Sequence, residues 1–396
     1  MQPLFIGAAP QVKQLLGGDY MEYAIPKRIY ISLLFFIILS MSSGCALTTP
    51  GTSLDVPPVD SSGSLNDSQV NPCFIQQEKP DYQLKEIDLS AIVEDGMGLG
   101  CLTSAGQYIY YELSHIDSIT GNYIDSTIHQ LDTVTGASEA VTSIQSDEPF
   151  FSNELICVGE YLFWVYRDSD DLTINYFHLM KKEHGVLSAY STSLPDLILS
   201  GDNQFLTWYV PNDQGISLFC YDTLSDEIIC LTNNAATDSP YTRAYVNNGV
   251  VSYLENRDDS RLMIAYDLAK KQELFSCPLS KDFILTRLQA NSEYAICTEG
   301  YTRDAPLFLL NQTKDEFERI TVDGCAFSVF SCHLFDKFII INSNSTKNIL
   351  LLSISDGSYY PYETKSNIIQ SAVSPDGLFY GCNPAENLIF YLELSE

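Results

Sequence analysis

The sequence has few basic residues and lacks the short motifs of the common enzyme classes. Only 21 of its 396 residues are Lys or Arg, against 51 Asp and Glu, so the formal net charge is −30. A field of this sign repels phosphate groups, which excludes nucleic acid as an expected partner. The chain has no Gly-x-Ser-x-Gly elbow, no Gly-rich phosphate loop and no His-Glu-x-x-His motif, so the enzymes defined by those motifs are excluded.

An apolar run long enough to cross a bilayer as a helix is also missing. Lys27 and Arg28 precede thirteen mostly apolar residues, Ile29–Met41, whereas a spanning helix needs about 20. A basic start, a short apolar run and small residues before a cut are typical of a secretory signal. We therefore predict that residues 1–45 are a signal and that the chain is exported.

The end of this signal resembles that of bacterial lipoproteins, with Gly44 before Cys45. The resemblance implies that Cys45 is lipidated and that the protein lies on the outer face of the cell membrane, held only by its N-terminal lipid. The alternative is an uncleaved signal that anchors the chain weakly. In residues 46–72, fourteen of 27 residues are Ser, Thr, Pro or Gly, too few apolar groups to offset the entropy of ordering. We predict a flexible tether over residues 46–80.

Short β-rich runs recur about every 45 residues from residue 85 onward, separated by turn-forming residues. The first run of each repeat extends from Tyr108–Leu113 in the first unit to Leu378–Asn383 in the last. Four short strands per repeat of this length are typical of propeller blades. The predicted fold class is all-β, with residues 81–396 forming a seven-bladed β-propeller. The last repeat has only three strands, so we expect the unmatched strand Leu84–Leu89 to close the ring beside it.

The run Ser374-Pro375-Asp376-Gly377-Leu378-Phe379-Tyr380 resembles the repeat of TolB-like (WD40-like) propellers, as does the hairpin around Tyr221-Asp222-Thr223. This family is mostly noncatalytic or fused to a catalytic domain. The resemblance implies a monomeric recognition protein that binds an extracellular protein, peptide or glycan. The alternative function is a carbohydrate-active enzyme, a lyase or glycosidase, that uses paired carboxylates at the mouth of the channel.

Carboxylates recur at the spacing of the repeats. Four precede predicted innermost strands and others lie in hairpins on the same face: Asp147, Asp238, Asp282, Asp323, Asp168, Asp170, Asp258 and Asp259. A ring of these groups would suit a cation, and calcium is the candidate because hard cations prefer oxygen ligands. The alternative is that each Asp caps its own turn. Four basic residues are expected near this face: Arg243, Arg257, Arg261 and Arg303.

Two further patterns concern tryptophan and cysteine. Trp164 and Trp208 fall at equivalent positions of two repeats, where an aromatic ring either packs between blades or offers a platform for sugars, and packing is favoured. The eleven cysteines include no Cys-x-x-Cys pair, so we expect thiols. A register that pairs Asp222 with Ile228 would set Cys220 opposite Cys230, where a disulfide would be strained.

Overall fold

The structure is a computed structural model that describes residues 72–394 except for short gaps. The gaps are 79, 81, 118–122, 145–149, 168–171, 192–193, 195–196, 214, 239–242, 259, 281, 301–304, 312–315, 324–326, 328, 330 and 344–346. The predicted signal, Cys45 and nearly all of the tether therefore lie outside the described residues, and so do Asp147, Asp168, Asp170, Asp259 and Arg303. Within the described part, no helix is long and apolar enough to span a membrane.

Strands make up almost all of the regular structure, in seven successive units of four antiparallel strands that we call blades 1–7. Blade 1 has β3 (Met97–Ala105), β4 (Tyr108–Ile116), β5 (Tyr123–Asp132) and β6 (Ser138–Ile144). Blade 2 has β7 (Phe151–Val158), β8 (Tyr161–Arg167), β9 (Leu172–His178) and β10 (Glu183–Tyr190). Blade 3 has β11 (Leu199–Gly201), β12 (Phe205–Asn212), β13 (Gly215–Asp222) and β14 (Glu227–Ala236).

The remaining blades follow the same order. Blade 4 has β15 (Tyr245–Asn247), β16 (Val250–Arg257), β17 (Ser260–Asp267) and β18 (Gln272–Leu279). Blade 5 has β19 (Leu285–Ala290), β20 (Tyr294–Glu299), β21 (Leu307–Asn311) and β22 (Glu316–Arg319), followed by β23 (Thr321–Val322). Blade 6 has β24 (Ser331–Phe335), β25 (Phe338–Ser343), β26 (Asn348–Ser353) and β27 (Ser358–Glu363). Blade 7 has β28 (Gln370–Val373), β29 (Leu378–Asn383), the 3₁₀ helix Pro384–Glu386, β30 (Leu388–Glu393) and, outermost, β2 (Lys85–Asp88).

The hydrophobic core lies between the blades. Buried apolar side chains form seven clusters, each shared by two neighbouring blades, and one of them joins blade 7 to blade 1. Alternation along the inner strands produces this arrangement because successive side chains point to opposite faces of a blade. The all-β propeller prediction is confirmed.

The N-terminal strand closes the ring. β2 pairs antiparallel with β30, with Ile87 opposite Ile389, and Leu89 just beyond it is 1% exposed. The backbone N–H of Leu89 donates to the carbonyl of Asn387 at 2.9 Å. The prediction of closure by Leu84–Leu89 is confirmed, with the strand itself one residue shorter at each end.

The predicted tether is wrong at its C-terminal end. Residues Cys73–Gln76 form a strand, β1, that lies parallel to both β23 and β27. Phe74 is 2% exposed and belongs to the cluster between blades 5 and 6. Prolines and serines dominate the sequence before residue 73, and two apolar residues together are too short a signal to distinguish a strand from coil.

Both tryptophans pack between blades and offer no surface platform. Trp164 is 3% exposed and Trp208 is 1% exposed. Nε1 of Trp208 donates to the hydroxyl of Tyr190 in blade 2 at 2.7 Å, which satisfies the polar end of a buried indole. The prediction of packing is confirmed for both residues.

The predicted register of Cys220 and Cys230 is wrong by one residue. Cys220 pairs with Ile229 and Phe219 pairs with Cys230, so the two sulfurs lie on opposite faces of blade 3. The turn sets this register, because the N–H of Asp226 donates to the carbonyl of Asp222 at 2.9 Å. All nine described cysteines are free thiols.

We expect every described cysteine to react in a thiol count under denaturing, non-reducing conditions. The strands hold Cys220 buried and Cys230 exposed on different faces, and a disulfide cannot bridge such a pair without backbone movement. Ellman titration of the unfolded chain, without reductant, measures this directly. A deficit of two thiols that disappears in Cys220→Ser would contradict the register.

Candidate functional site

The first strand of every blade lines a central channel that encloses a cavity of about 110 Å³. Its wall is mostly polar. Each blade contributes at least one residue to this wall: Thr103, Cys157, Ser200, Tyr245, Gln289, His333 and Ser371. Because all seven inner strands run in the same direction, their beginnings share one end of the channel, which we call the linker end. Their final residues share the other, which we call the turn end.

Side chains bridge the turn end across the ring. Asn203 in blade 3 donates to the carboxylate of Asp376 in blade 7 at 3.3 Å. Asn247 in blade 4 donates to the carbonyl of Leu334 in blade 6 at 2.9 Å. Neither pair belongs to adjacent blades, so these bonds cross the channel. The backbone N–H of Gly106 also donates to Asp376, at 2.9 Å. Asp376, from the sequence that resembles TolB-like repeats, therefore has a structural role here.

A partly exposed ion pair lies at the linker end. Nη1 of Arg243 is 3.2 Å from Oε2 of Glu154 and 3.4 Å from the carbonyl of Leu199. The guanidinium also lies over the ring of Tyr245, 5.1 Å from its centre. The Arg243 side chain is 29% exposed and that of Glu154 is 24% exposed. This pair joins the linker before blade 4 to the inner strand of blade 2.

A bulge places Glu154 in this position. β7 pairs regularly with β8 except between Asn153 and Leu155, where Glu154 has no cross-strand partner. Its φ of +55° lies in the left-handed region, which most side chains avoid. Strained backbone of this kind is concentrated at functional sites. The inner strand therefore bends where its carboxylate meets Arg243.

A second carboxylate, Glu112, is buried beside the channel wall of blade 1. It is 2% exposed and accepts a 2.5 Å hydrogen bond from Ser126, whose hydroxyl in turn accepts one from Ser114. Gly100 leaves the space that this carboxylate needs, since a Cβ there would lie 2.8 Å from Oε2. Burial, with the charges of Glu112 and Glu154, raises the pKa of the adjacent Cys101 thiol. The thiol is therefore protonated at neutral pH and is a poor nucleophile.

Glu112 should make the stability of the fold depend on pH. Burial raises its pKa above the ordinary value of 4.5, although the hydrogen bond from Ser126 opposes the shift. The folded state then binds the proton more tightly than the unfolded state, so this contribution falls as pH rises from about 4.5 through the raised pKa. In Glu112→Gln the free energy of unfolding should vary less over that range. Urea unfolding of both proteins between about pH 4 and 8 measures it, and equal slopes would contradict the assignment.

Blades 5 and 6 bring a second cation and a neutral imidazole. Along β19, Leu288 lies in the core and Gln289 lines the channel, so Arg287 lies on the channel side by alternation. Burial, together with the charges of Arg287 and Arg243, lowers the pKa of His333 to about 3. His333 is therefore neutral, and its Nε2 is 3.0 Å from the hydroxyl of Ser371. The linker end holds two cations, Arg243 and Arg287, facing one paired carboxylate.

The described members of the predicted acidic ring do not meet. Asp238 binds Arg261 at 2.5 Å and accepts the N–H of Leu285 at 2.8 Å, so it ties two linkers together as a cap. Asp323 follows β23 at the outer rim, where its N–H donates to the carbonyl of Phe74 at 2.9 Å. Asp258 and Asp282 are exposed. Among the described residues, no group of three or more His, Cys, Asp or Glu could hold a metal ion, so a calcium site stays a prediction.

The sequence pointed to Arg243 and missed its partners. Glu112 stands alone as a charge inside the apolar run Tyr108–Leu113, and that isolation was the available signal, because charged residues are rarely buried without partners. Glu154 and Arg287 carry no comparable signal, since a bulge and the closure of the ring bring them to the channel. His333 reads as an ordinary strand residue.

No protein-family model matches this chain, and no curated protein matches it. Solved structures do resemble it. The β-propeller domain of the trilobed protease from Pyrococcus furiosus aligns with a TM-score of 0.52 at 12% identity, covering 76% of this chain and 94% of that one. A chain in the crystal structure of the mitotic checkpoint complex aligns with a TM-score of 0.51 at 11% identity, covering 88% and 100%.

Acylaminoacyl peptidase from Pyrococcus horikoshii, in its uncomplexed form, aligns with a TM-score of 0.51 at 11% identity. The alignment covers 76% of this chain and 52% of the peptidase chain, so the present chain matches about half of that enzyme's length. Identities this low establish the architecture alone. The protein is a β-propeller.

Proposed function

We propose that this protein is a noncatalytic recognition propeller that binds an extracellular protein, peptide or glycan at the linker end of its channel. The supporting observation is the Arg243–Glu154 pair, because it is partly exposed while the turn end is bridged by side chains. A partly exposed charged pair above a polar cavity offers directional hydrogen bonds to a ligand. The resemblance to TolB-like repeats agrees with a binding role.

A carbohydrate-active enzyme is the second candidate. It is favoured by the proximity of two carboxylates, since the charges of Glu112 and Glu154 both act on Cys101, with Arg243 beside them. Glycoside hydrolysis needs one acid and one base that both reach the substrate. Glu112 is 2% exposed and bound to Ser126, so it cannot reach a sugar without rearrangement. The noncatalytic function is therefore the better supported.

One experiment separates the two functions. The full chain is applied to peptide and glycan arrays, and every bound compound is then incubated with the protein and analysed for products by mass spectrometry. We expect binding without turnover, and loss of binding in Arg243→Gln. Arg257→Gln removes the same charge at a site away from the channel, where Arg257 pairs with Glu255 and Glu273, so it should bind normally. Cleaved products that vanish in Glu154→Gln would establish the enzyme instead.

We also propose that the protein is a lipoprotein on the outer face of the cell membrane and acts as a monomer. Its support is the sequence from Lys27 to Cys45, and β1 then begins the folded part at Cys73. The intervening residues, rich in Ser and Pro, suit a tether between lipid and propeller.

Lipidation has a direct test. Cells that express the chain are grown with a clickable fatty-acid analogue, and the purified protein is analysed for the label. Cys45→Ala should lose the label, because the lipid is attached to that thiol in lipoproteins of this type. Cys73→Ala is the matched control and should be labelled fully. Equal labelling of Cys45→Ala and the wild type would remove the lipoprotein assignment.

A further inference from the structure

We infer that the linker end binds the free C-terminal carboxylate of a peptide, with Arg243 and Arg287 as its partners. This inference rests on the proposed function and names the ligand group that the channel recognises. It depends on three features of the channel: the sign of its charge, the geometry of its cations and the size of its cavity.

The charge of the linker end is opposite to that of the chain as a whole. The net charge of the protein is −30, yet Arg243 and Arg287 both lie on the channel side of their blades. One ionised carboxylate, Glu154, is paired there, and Glu112 is buried with its pKa raised. Cations inside a concavity with low-dielectric walls focus the field and attract anions. An anionic group is therefore drawn to this point of an otherwise acidic protein.

The geometry of Arg243 suits a carboxylate. A guanidinium presents five N–H donors in a planar fork that matches the two oxygens of a carboxylate. Nη1 supplies the hydrogen bonds to Glu154 and Leu199, and stacking on Tyr245 fixes the plane of the group. Glu154 shows that the position already accepts a carboxylate. A ligand carboxylate competes with Glu154 for the same fork or uses its remaining donors.

The cavity favours a chain end over a sugar ring. Its volume is about 110 Å³, less than the roughly 150 Å³ of a cavity that holds benzene. A pyranose ring is bulkier than benzene, so a uronic acid cannot enter with its ring. The last residue of an extended peptide enters carboxylate first, and the hydroxyl of Ser371 and the imidazole of His333 line the wall around it. A peptide terminus is thus the source that this channel admits.

The test uses two pools of random hexapeptides that differ only at the C-terminus, one free and one amidated. Binding of each fluorescent pool to the full chain is measured by anisotropy at low salt. We expect the free pool to bind at least about tenfold more tightly, because the amide lacks the charge that Arg243 and Arg287 bind. Equal binding of the two pools would overturn the carboxylate inference and leave peptide recognition standing. Absence of binding by both would count against the inference and the proposed function together.

Two variants at one ion pair should change affinity in opposite directions. Arg243→Gln should weaken binding of the free pool by about tenfold or more. Glu154→Gln should strengthen it by about threefold or more, because it removes a competing carboxylate and a repelling charge. A misfolded variant cannot show that gain, so Glu154→Gln keeps the test valid if Arg243→Gln is unstable. Unchanged or weaker binding in Glu154→Gln would contradict the inference.

Two further arms exclude other sources of the carboxylate. Hexapeptides with an internal Asp or Glu and an amidated end test a side-chain carboxylate, and oligogalacturonate tests a sugar carboxylate. Neither should approach the affinity of the free terminus. Arg243-dependent binding of oligogalacturonate that exceeds that of the peptides would overturn the peptide terminus as ligand.

Discussion

Replacing residues 84–89 with an alternating Gly-Ser segment of equal length is expected to lower the free energy of unfolding by at least about 3 kcal/mol. The change removes the buried side chain of Leu89 and the pairing of Ile87 with Ile389. It also leaves β30 as an exposed edge, which favours association with other chains. Equal length keeps β1 and β3 at their present separation, so the effect reports the loss of β2 alone. Urea unfolding followed by tyrosine and tryptophan fluorescence measures it.

Lys85→Ser provides the control for this replacement. It lies in the same strand, with its side chain 47% exposed and 3.7 Å from Glu393, so its loss should cost about 1 kcal/mol or less. Size-exclusion chromatography should show oligomers for the replaced chain and none for Lys85→Ser. If the replaced chain unfolds at the same urea concentration as the wild type, the ring is held closed by the apolar interface of blades 7 and 1 and not by β2.

The closure of the ring could be predicted because it follows from counting strands. A repeat that ends one strand short implies a partner elsewhere, and the run Leu84–Leu89 has the apolar pattern of an outer strand. The periodicity of the repeats fixes the all-β class for the same reason. Both inferences use patterns that extend over many residues, so single departures do not obscure them.

The candidate site could not be predicted to the same extent because it is assembled from distant positions. Arg243 and Glu154 are far apart in sequence and lie on nonadjacent blades, and their contact depends on the curvature of the ring and on one bulge. The recurring Asp residues suggested a ring of charge, but the linkers take different paths. Asp238 turns inward to Arg261, whereas Asp323 stays at the rim beside β1. Equal spacing along the chain did not give equal positions in space.

The strand β1 failed to stand out for a different reason. Its length is four residues and both its neighbours are parallel, so it has no hairpin or repeat to reveal it. It is stabilised by one deeply buried side chain, Phe74, which packs against Ile320, Val322 and Tyr359 in the cluster between blades 5 and 6. Backbone bonds add to this: the N–H of Ile75 donates to the carbonyl of Gly357 at 2.9 Å.

Phe74→Ala should therefore lower the free energy of unfolding by about 3–5 kcal/mol, the usual effect of removing a buried phenyl ring and leaving a cavity. Typical total stabilities are about 5–15 kcal/mol, so this loss is large. Ile75→Ala is the matched control, because Ile75 is the next residue of the same strand and is 55% exposed. Its effect should stay within about 0.5 kcal/mol. The difference between two adjacent positions separates a strand that packs into the propeller from a tether that only passes beside it, since a tether would make both substitutions neutral. Urea unfolding of the full chain measures both, and a neutral Phe74→Ala would return residues 73–76 to the tether.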